Sequence, residues 1–166
     1  MTNNTKANAP LEIERKFLIS YPNRAQLEAL PGCVTLEIVQ TYLCGGAARV
    51  RKSTSPTGCN FTHTEKRKIS ELTRIEIEKE ISAQEYAEYL KAADPAFRSI
   101  EKTRLCIPYK GHTFEIDIYP FWQDKAVAEV ELKSEDEEII FPEWLDIINE
   151  VTFDPSYKNV FLARIK

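Results

Sequence analysis

From Leu11 onward apolar and polar residues alternate. In the first run Leu11, Ile13, Phe17 and Ile19 fall on one face of an extended strand, and Glu12, Glu14, Lys16 and Leu18 on the other. The same two-residue period predicts strands near 34–44, 46–53, 59–69, 73–81, 98–109, 112–120 and 126–133. Turn residues punctuate them, at Ser55-Pro56-Thr57-Gly58 and Tyr109-Lys110-Gly111-His112. Pro22 to Leu30 suits a short helix with proline near its first turn. Ser82 followed by Glu85 is a capping box that opens a helix to about Asp94, and Ser134 followed by Glu137 repeats the pattern. Asp154-Pro155 reads as the cap and first turn of a helix running to the C-terminus. About eight strands with short connections, and three or four helices, predict an α+β chain built on an antiparallel meander. No repeat or linker divides it. Residues 11–166 are expected to form one domain behind a loose polar tail, 1–10.

The sign of the polar positions changes the picture. Glu12/Glu14, Glu76/Glu78, Glu115/Asp117 and Glu129/Glu131 are acidic pairs two residues apart; Arg49/Arg51 and Lys102/Arg104 are basic pairs at the same spacing. Lys16, Lys66 and Arg74 add cations in phase with them. Each pair shares a face at roughly 6–7 Å. A solvated face usually intersperses its signs, because adjacent like charges repel. The opposite face is apolar throughout: Ile13, Phe17, Val50, Ile75, Ile77, Leu105, Phe114, Ile116, Ile118, Val130 and Leu132. If the sheet curls into a barrel, the charged face becomes its lumen. Crowded carboxylates are tolerable around a hard divalent cation, and crowded cations around a polyanion; a metal–polyphosphate complex satisfies both. The spacing alone leaves a lumen and a solvated outer face both open.

Composition narrows the classes. The 166 residues are 43% hydrophobic and 29% charged, as in a folded globular chain, and the net charge of −4 argues against nucleic acid held by a general basic field. Any anion site is therefore local. Cys33, Cys44, Cys59 and Cys106 show no metal-ligand spacing, and without a signal peptide they read as reduced thiols of a cytoplasmic protein. No apolar run reaches the ~20 residues of a membrane span. His63 is out of phase with Lys66 and His112 sits beside a hairpin glycine, so neither is assigned to catalysis. Trp122 and Trp144 read as packing residues.

The run Glu12-x-Glu14-x-Lys16 resembles the signature that opens CYTH domains, the triphosphate tunnel metalloenzymes. Later residues follow in the family's order: Gln40-x-Tyr42-Leu43, Arg49-x-Arg51, Thr64-x-Lys66, Arg74-x-Glu76-x-Glu78, Glu101-Lys102-Thr103-Arg104, Glu115-x-Asp117, Glu129-x-Glu131 and Tyr157-Lys158-Asn159. The resemblance implies an eight-stranded antiparallel β-barrel with flanking helices and a closing C-terminal helix. It implies that Lys16, Arg49, Arg51, Lys66, Lys102 and Arg104 grip phosphate oxygens, with Arg74 and Lys158 added. Lys68 shares a face with Lys66, and the T-x-K pattern favours Lys66. Glu12, Glu14, Glu76, Glu78, Asp117, Glu129 and Glu131 would ligate Mg²⁺ or Mn²⁺ directly or through water. Lys16 would orient the attacked phosphoryl group or its nucleophile. The short length, the opening and the ending resemble bacterial inorganic triphosphatases, which implies a triphosphate-containing small molecule as substrate, no nucleic-acid or membrane partner, and room for a homodimer. A class IV-type adenylyl cyclase, a thiamine triphosphatase and a non-catalytic polyphosphate- or nucleotide-binding module are the alternatives.

Overall fold

Alternating strands joined by short turns pair with their sequence neighbours, and closing the sheet removes its unpaired edges. The computed structural model describes residues 11–70 and 72–164; the tail predicted for 1–10 lies outside them. Strands β1 (Leu11–Ser20), β2 (Val34–Leu43), β3 (Ala48–Ser55), β4 (Gly58–Lys68), β5 (Thr73–Ile81), β6 (Ile100–Tyr109), β7 (His112–Ile118) and β8 (Lys125–Glu131) run in the order β5-β4-β3-β2-β6-β7-β8-β1, and β1 returns to β5. The result is a closed eight-stranded antiparallel barrel. Its seam is short, made by Leu11 opposite Ile75, Glu12 opposite Arg74 and Ile13 opposite Thr73. Beyond that seam a ninth strand, β9 (Ile147–Glu150), lies outside the barrel along β1, with Phe17 opposite Glu150. The β6–β7 hairpin turns on Lys110 and Gly111, both in the left-handed region that a two-residue primed turn requires.

Three short helices cover parts of the barrel: α1 (Arg24–Glu28), α2 (Ala83–Leu90) and α3 (Asn159–Ala163). The Asn23 side chain caps α1, and both bonds of the Ser82–Glu85 capping box are made at α2. The outward apolar face packs as the alternation predicts. Ile13, Phe17, Leu105, Ile116 and Val130 form one cluster with Leu27 of α1 and Leu145, while Tyr86 of α2 covers Val50 and Ile81.

Two expectations need correction. Residues 134–141 form no helix: Glu137 accepts from the Lys133 backbone and contacts His112, but Ile139, Trp144 and Leu145 are drawn into the core as an irregular strap containing Pro142. The closing helix is broken. Pro155–Tyr157 is a single 3-10 turn, Lys158 has extended backbone, and only then does α3 begin. All four cysteines are free thiols, and no helix among the described residues is long and apolar enough to cross a membrane.

Candidate active site

Residues directly opposite one another on an antiparallel ladder share a face, so strand register decides which charges meet. Lys16 lies opposite Glu129, and Glu129 opposite Glu115; Glu14 lies opposite Glu131. Arg49 faces Tyr42 and Thr64, and Arg51 faces Gln40. Thr64 is opposite Glu78, Lys66 opposite Glu76, and Arg74 opposite both Lys68 and Glu12. These ladders converge on a cavity of about 450 Å³ inside the barrel. Every site residue expected from the sequence lines it except Lys102 and Asp117, which lie behind its wall. Glu115, Lys68, Tyr42 and Asn159 line it as well, without a role assigned from the sequence; Glu115 and Lys68 were in phase with their strands.

Further along the same inward faces the side chains turn apolar. Leu18, Ile100, Tyr119 and Val127 form a cluster that packs on Val151, Ala163, Tyr157 and Val160. The turn at Cys44–Gly46 meets this segment closely. Gly46 has φ 91°, and a Cβ there would lie 2.6 Å from Val160 Cγ2. Gly46 and Val160 both stand on the cavity wall.

Three charge clusters make up the site. In the first, Arg104 forks onto Asp117 (Nε–Oδ1 2.7 Å, Nη2–Oδ2 2.9 Å), and Lys102 Nζ reaches the same carboxylate at 2.7 Å. Arg104 also contacts Glu115, and Glu129 at 3.8 Å. Lys16 Nζ lies 3.2 Å from Glu129 and donates to the Tyr157 carbonyl. Burial is the largest influence on all of these groups. It pushes Lys102 down to about 7 and Glu115 up to about 7. For Asp117 and Glu129 the neighbouring cations outweigh burial and hold the carboxyls below their usual range. For Lys16 the acids Glu129 and Glu14 outweigh it and raise the ammonium pKa.

In the second cluster Lys66 pairs with Glu12 at 3.1 Å and Arg74 with Glu14 at 3.0 Å. Burial, and then crowding by neighbouring acids, push Glu12, Glu14 and Glu131 upward against the pull of Lys66. No group of three or more His, Cys, Asp or Glu among the described residues is drawn together to hold a metal ion. The third cluster is Arg49 beside Arg51. Arg49 lies 3.8 Å from Glu76, and Arg51 donates to Gln40 at 3.1 Å. The Nε of each guanidinium is buried without a hydrogen-bond partner. Cations on opposed strands around a polar cavity are suited to bind a polyanion.

This fold recurs in solved structures. Two structures of NE1496, one described as a hypothetical protein and the other as an inorganic triphosphatase, are 28% and 29% identical to this chain. Their TM-scores are 0.55 and 0.54, and the match covers 92% of this chain and 97% and 93% of theirs. PH1819 from Pyrococcus horikoshii OT3 shares the fold at 23% identity and a TM-score of 0.52, over 75% of this chain and 80% of its own. No protein-family model and no curated protein matches the chain. The closed barrel and these neighbours define an antiparallel tunnel protein. The barrel matches the CYTH tunnel fold, and the chain is similar to NE1496 over almost the full length of both.

Proposed function

We propose that this chain hydrolyses inorganic tripolyphosphate to orthophosphate and pyrophosphate in the barrel cavity, with Mg²⁺ or Mn²⁺. The observation that carries the reading is the pair of adjacent guanidiniums, Arg49 and Arg51, with buried Nε–H groups and no protein partner for them. An unpaired buried donor costs about 1–3 kcal/mol. Two of them on neighbouring cations suit an anion that presents several oxygens. NE1496, similar over almost the whole chain, is described as an inorganic triphosphatase.

Phosphoryl transfer asks the protein to hold the phosphate chain, neutralise its charge and place a water in line. Arg49, Arg51 and Arg104 would hold the oxygens, with Lys66, Arg74 and Lys158 along the wall. Lys16 stays protonated because Glu129 and Glu14 outweigh its burial, so it would act as a fixed cation at the attacked phosphoryl group and not as a base. Lys102 and Asp117 would act indirectly, through Arg104. The cavity wall is mostly charged, and Tyr42 is the one aromatic among its described residues. That leaves a purine or thiazole little to stack on and favours a substrate without an organic group.

Glu12, Glu14, Glu76 and Glu131 are the acids that fit a metal. They offer only oxygen donors, and Glu12, Glu14 and Glu131 are pushed upward by burial first and then by neighbouring acids, a crowding of negative charge that a divalent ion would relieve. Lys16, Arg104 and Lys102 hold Glu129 and Asp117 below their usual range, so their charge is already compensated, whereas Glu12 and Glu14 stay raised despite pairing with Lys66 and Arg74. When bound, the ion would neutralise charge developing on the phosphate oxygens.

Incubation with tripolyphosphate, ATP or thiamine triphosphate, followed by phosphate and cyclic AMP measurement, tests the reading. Tripolyphosphate is expected to turn over fastest, with no cyclic AMP formed. Chelator should abolish turnover and Mg²⁺ or Mn²⁺ restore it, and Glu131→Gln should lose most of it while keeping its melting temperature. Full turnover in chelator rejects the metal, and faster turnover of ATP rejects the substrate.

A further inference from the structure

Gln40 sits on β2 opposite Arg51 and is completely buried. A buried amide has to satisfy both of its ends. Its Oε1 accepts from Arg51 Nη2 at 3.1 Å, and its Nε2 donates to the Tyr42 hydroxyl at 2.9 Å. Chemistry compels this orientation: a guanidinium only donates, so the amide oxygen must face Arg51 and the nitrogen must face Tyr42.

Two consequences follow for the cavity. The first concerns charge. Arg49, Arg74 and Arg104 each have a carboxylate within ion-pair distance, whereas Arg51 has none among the described residues. Gln40 therefore fixes the direction of Arg51 without cancelling its charge. Burial, and then the neighbouring Arg49 and Arg104, push that guanidinium down to about 10 against the weaker pull of Asp117 and Glu78, neither of which is within ion-pair distance. The second concerns the phenol. Its oxygen accepts from Gln40, and Tyr42 stands opposite Arg49 on the ladder. A hydroxyl has two lone pairs and one proton. With Gln40 donating to the oxygen, the proton is left to give, and Tyr42 stands on the cavity wall.

We propose that Gln40 is a positioning residue that presents Arg51 as an uncompensated anion receptor, and that it turns the Tyr42 O–H toward a bound phosphate oxygen as a neutral donor. The proposal rests on the triphosphatase reading and assigns it a defined corner of the cavity, Arg49–Arg51–Tyr42. The neutral amide is the active ingredient: a carboxylate there would keep the contact to Arg51 but fill the receptor from within, and, having no N–H to give, it would take the Tyr42 proton for itself.

Titration calorimetry of inorganic tripolyphosphate into the full chain, in EDTA so that the proposed hydrolysis does not run, reads affinity apart from turnover. Gln40→Glu keeps the size and the acceptor but supplies the missing charge. The expected result is a Kd weakened about 10-fold or more with a melting temperature equal to or above wild type. A merely structural glutamine would lose affinity and stability together. Tyr42→Phe removes the hydroxyl and leaves the Gln40 Nε2 donor without its partner, so it is expected to weaken Kd about 5-fold and to lower the melting temperature while the protein stays folded. It also reads the corner independently if Gln40→Glu does not fold. Binding by Gln40→Glu within about twofold of wild type overturns the positioning role, and the same result for Tyr42→Phe overturns the donor. Wild-type protein that binds no tripolyphosphate in EDTA overturns the proposal, and absence of turnover with Mg²⁺ or Mn²⁺ as well overturns the functional reading itself.

Discussion

Replacing Arg51 by alanine is expected to cut kcat/KM for tripolyphosphate by about 10²-fold or more, a loss of about 2.7 kcal/mol. The size follows from its surroundings. Arg51 is held by a neutral amide, carries a buried unpartnered Nε–H and faces the same cavity as Arg49 and Arg104. A guanidinium forked onto phosphate in such a place contributes to binding, to the transition state, or to both. Arg49→Ala and Arg104→Ala should lose activity on the same scale. Arg51→Lys should recover only part, because an ammonium keeps the charge without the planar fork. Arg15→Ala is the internal control. Arg15 lies between Glu14 and Lys16 but points outward, donating to Glu150 at 2.8 and 2.9 Å with its side chain 29% exposed. Surface pairs of this kind are worth ~0–1 kcal/mol. Steady-state kinetics on folded variants decide the matter: equal damage from Arg15→Ala and Arg51→Ala would show that the strand faces are wrongly assigned.

The second large effect is on stability. Asp117→Ala is expected to destabilise the fold by about 3–5 kcal/mol, read from denaturant unfolding, because it strands two buried cations at once. Asp117 and Lys102 are fully enclosed, and Asp117 binds Arg104 through both oxygens. Arg104 cannot shed its proton. Lys102 can, since burial already pushes it down to about 7, so Arg104 would bear most of the damage. The pH dependence has a definite sign. Burial raises the Asp117 carboxyl, but Arg104 and Lys102 outweigh it and hold the folded pKa below the unfolded 3.8. Its contribution is therefore complete above the unfolded value and is lost as pH falls through the lower folded one. Unchanged stability in Asp117→Ala at neutral pH would contradict its role as counter-ion to this cluster.

Strand faces were legible in the sequence because a period of two with one apolar side fixes register: slipping β1 by one residue would turn Glu12 and Glu14 into the apolar packing and Ile13 and Phe17 into the charged cavity. Depth along the barrel was not legible. Glu115 and Asp117 are equally in phase, yet Glu115 lines the cavity while Asp117 sits behind it, opposite Arg104. That difference comes from the stagger of the closed sheet, which joins residues far apart in the chain and leaves no mark on local spacing. Leu18 shares the inward face of β1 with Glu14 and Lys16, as the alternation predicts, but its layer is apolar because the segment ending in α3 packs there. The strap at 134–145 shows the limit of capping signals. Glu137 does bond back to Lys133, but tertiary contacts of Ile139, Trp144 and Leu145 prevail over the local helical preference. β9 is four residues without alternation, and its pairing with β1 alone defines it.

The most direct test of the central claim is a phosphorus NMR time course of inorganic tripolyphosphate with the wild-type chain and Mg²⁺ or Mn²⁺. The expected result is loss of the tripolyphosphate signals with orthophosphate and pyrophosphate appearing in equal amounts, far faster than in a matched Arg51→Ala sample. Tripolyphosphate that persists unchanged with either metal would contradict it, and would leave the cavity as a binding site without this chemistry.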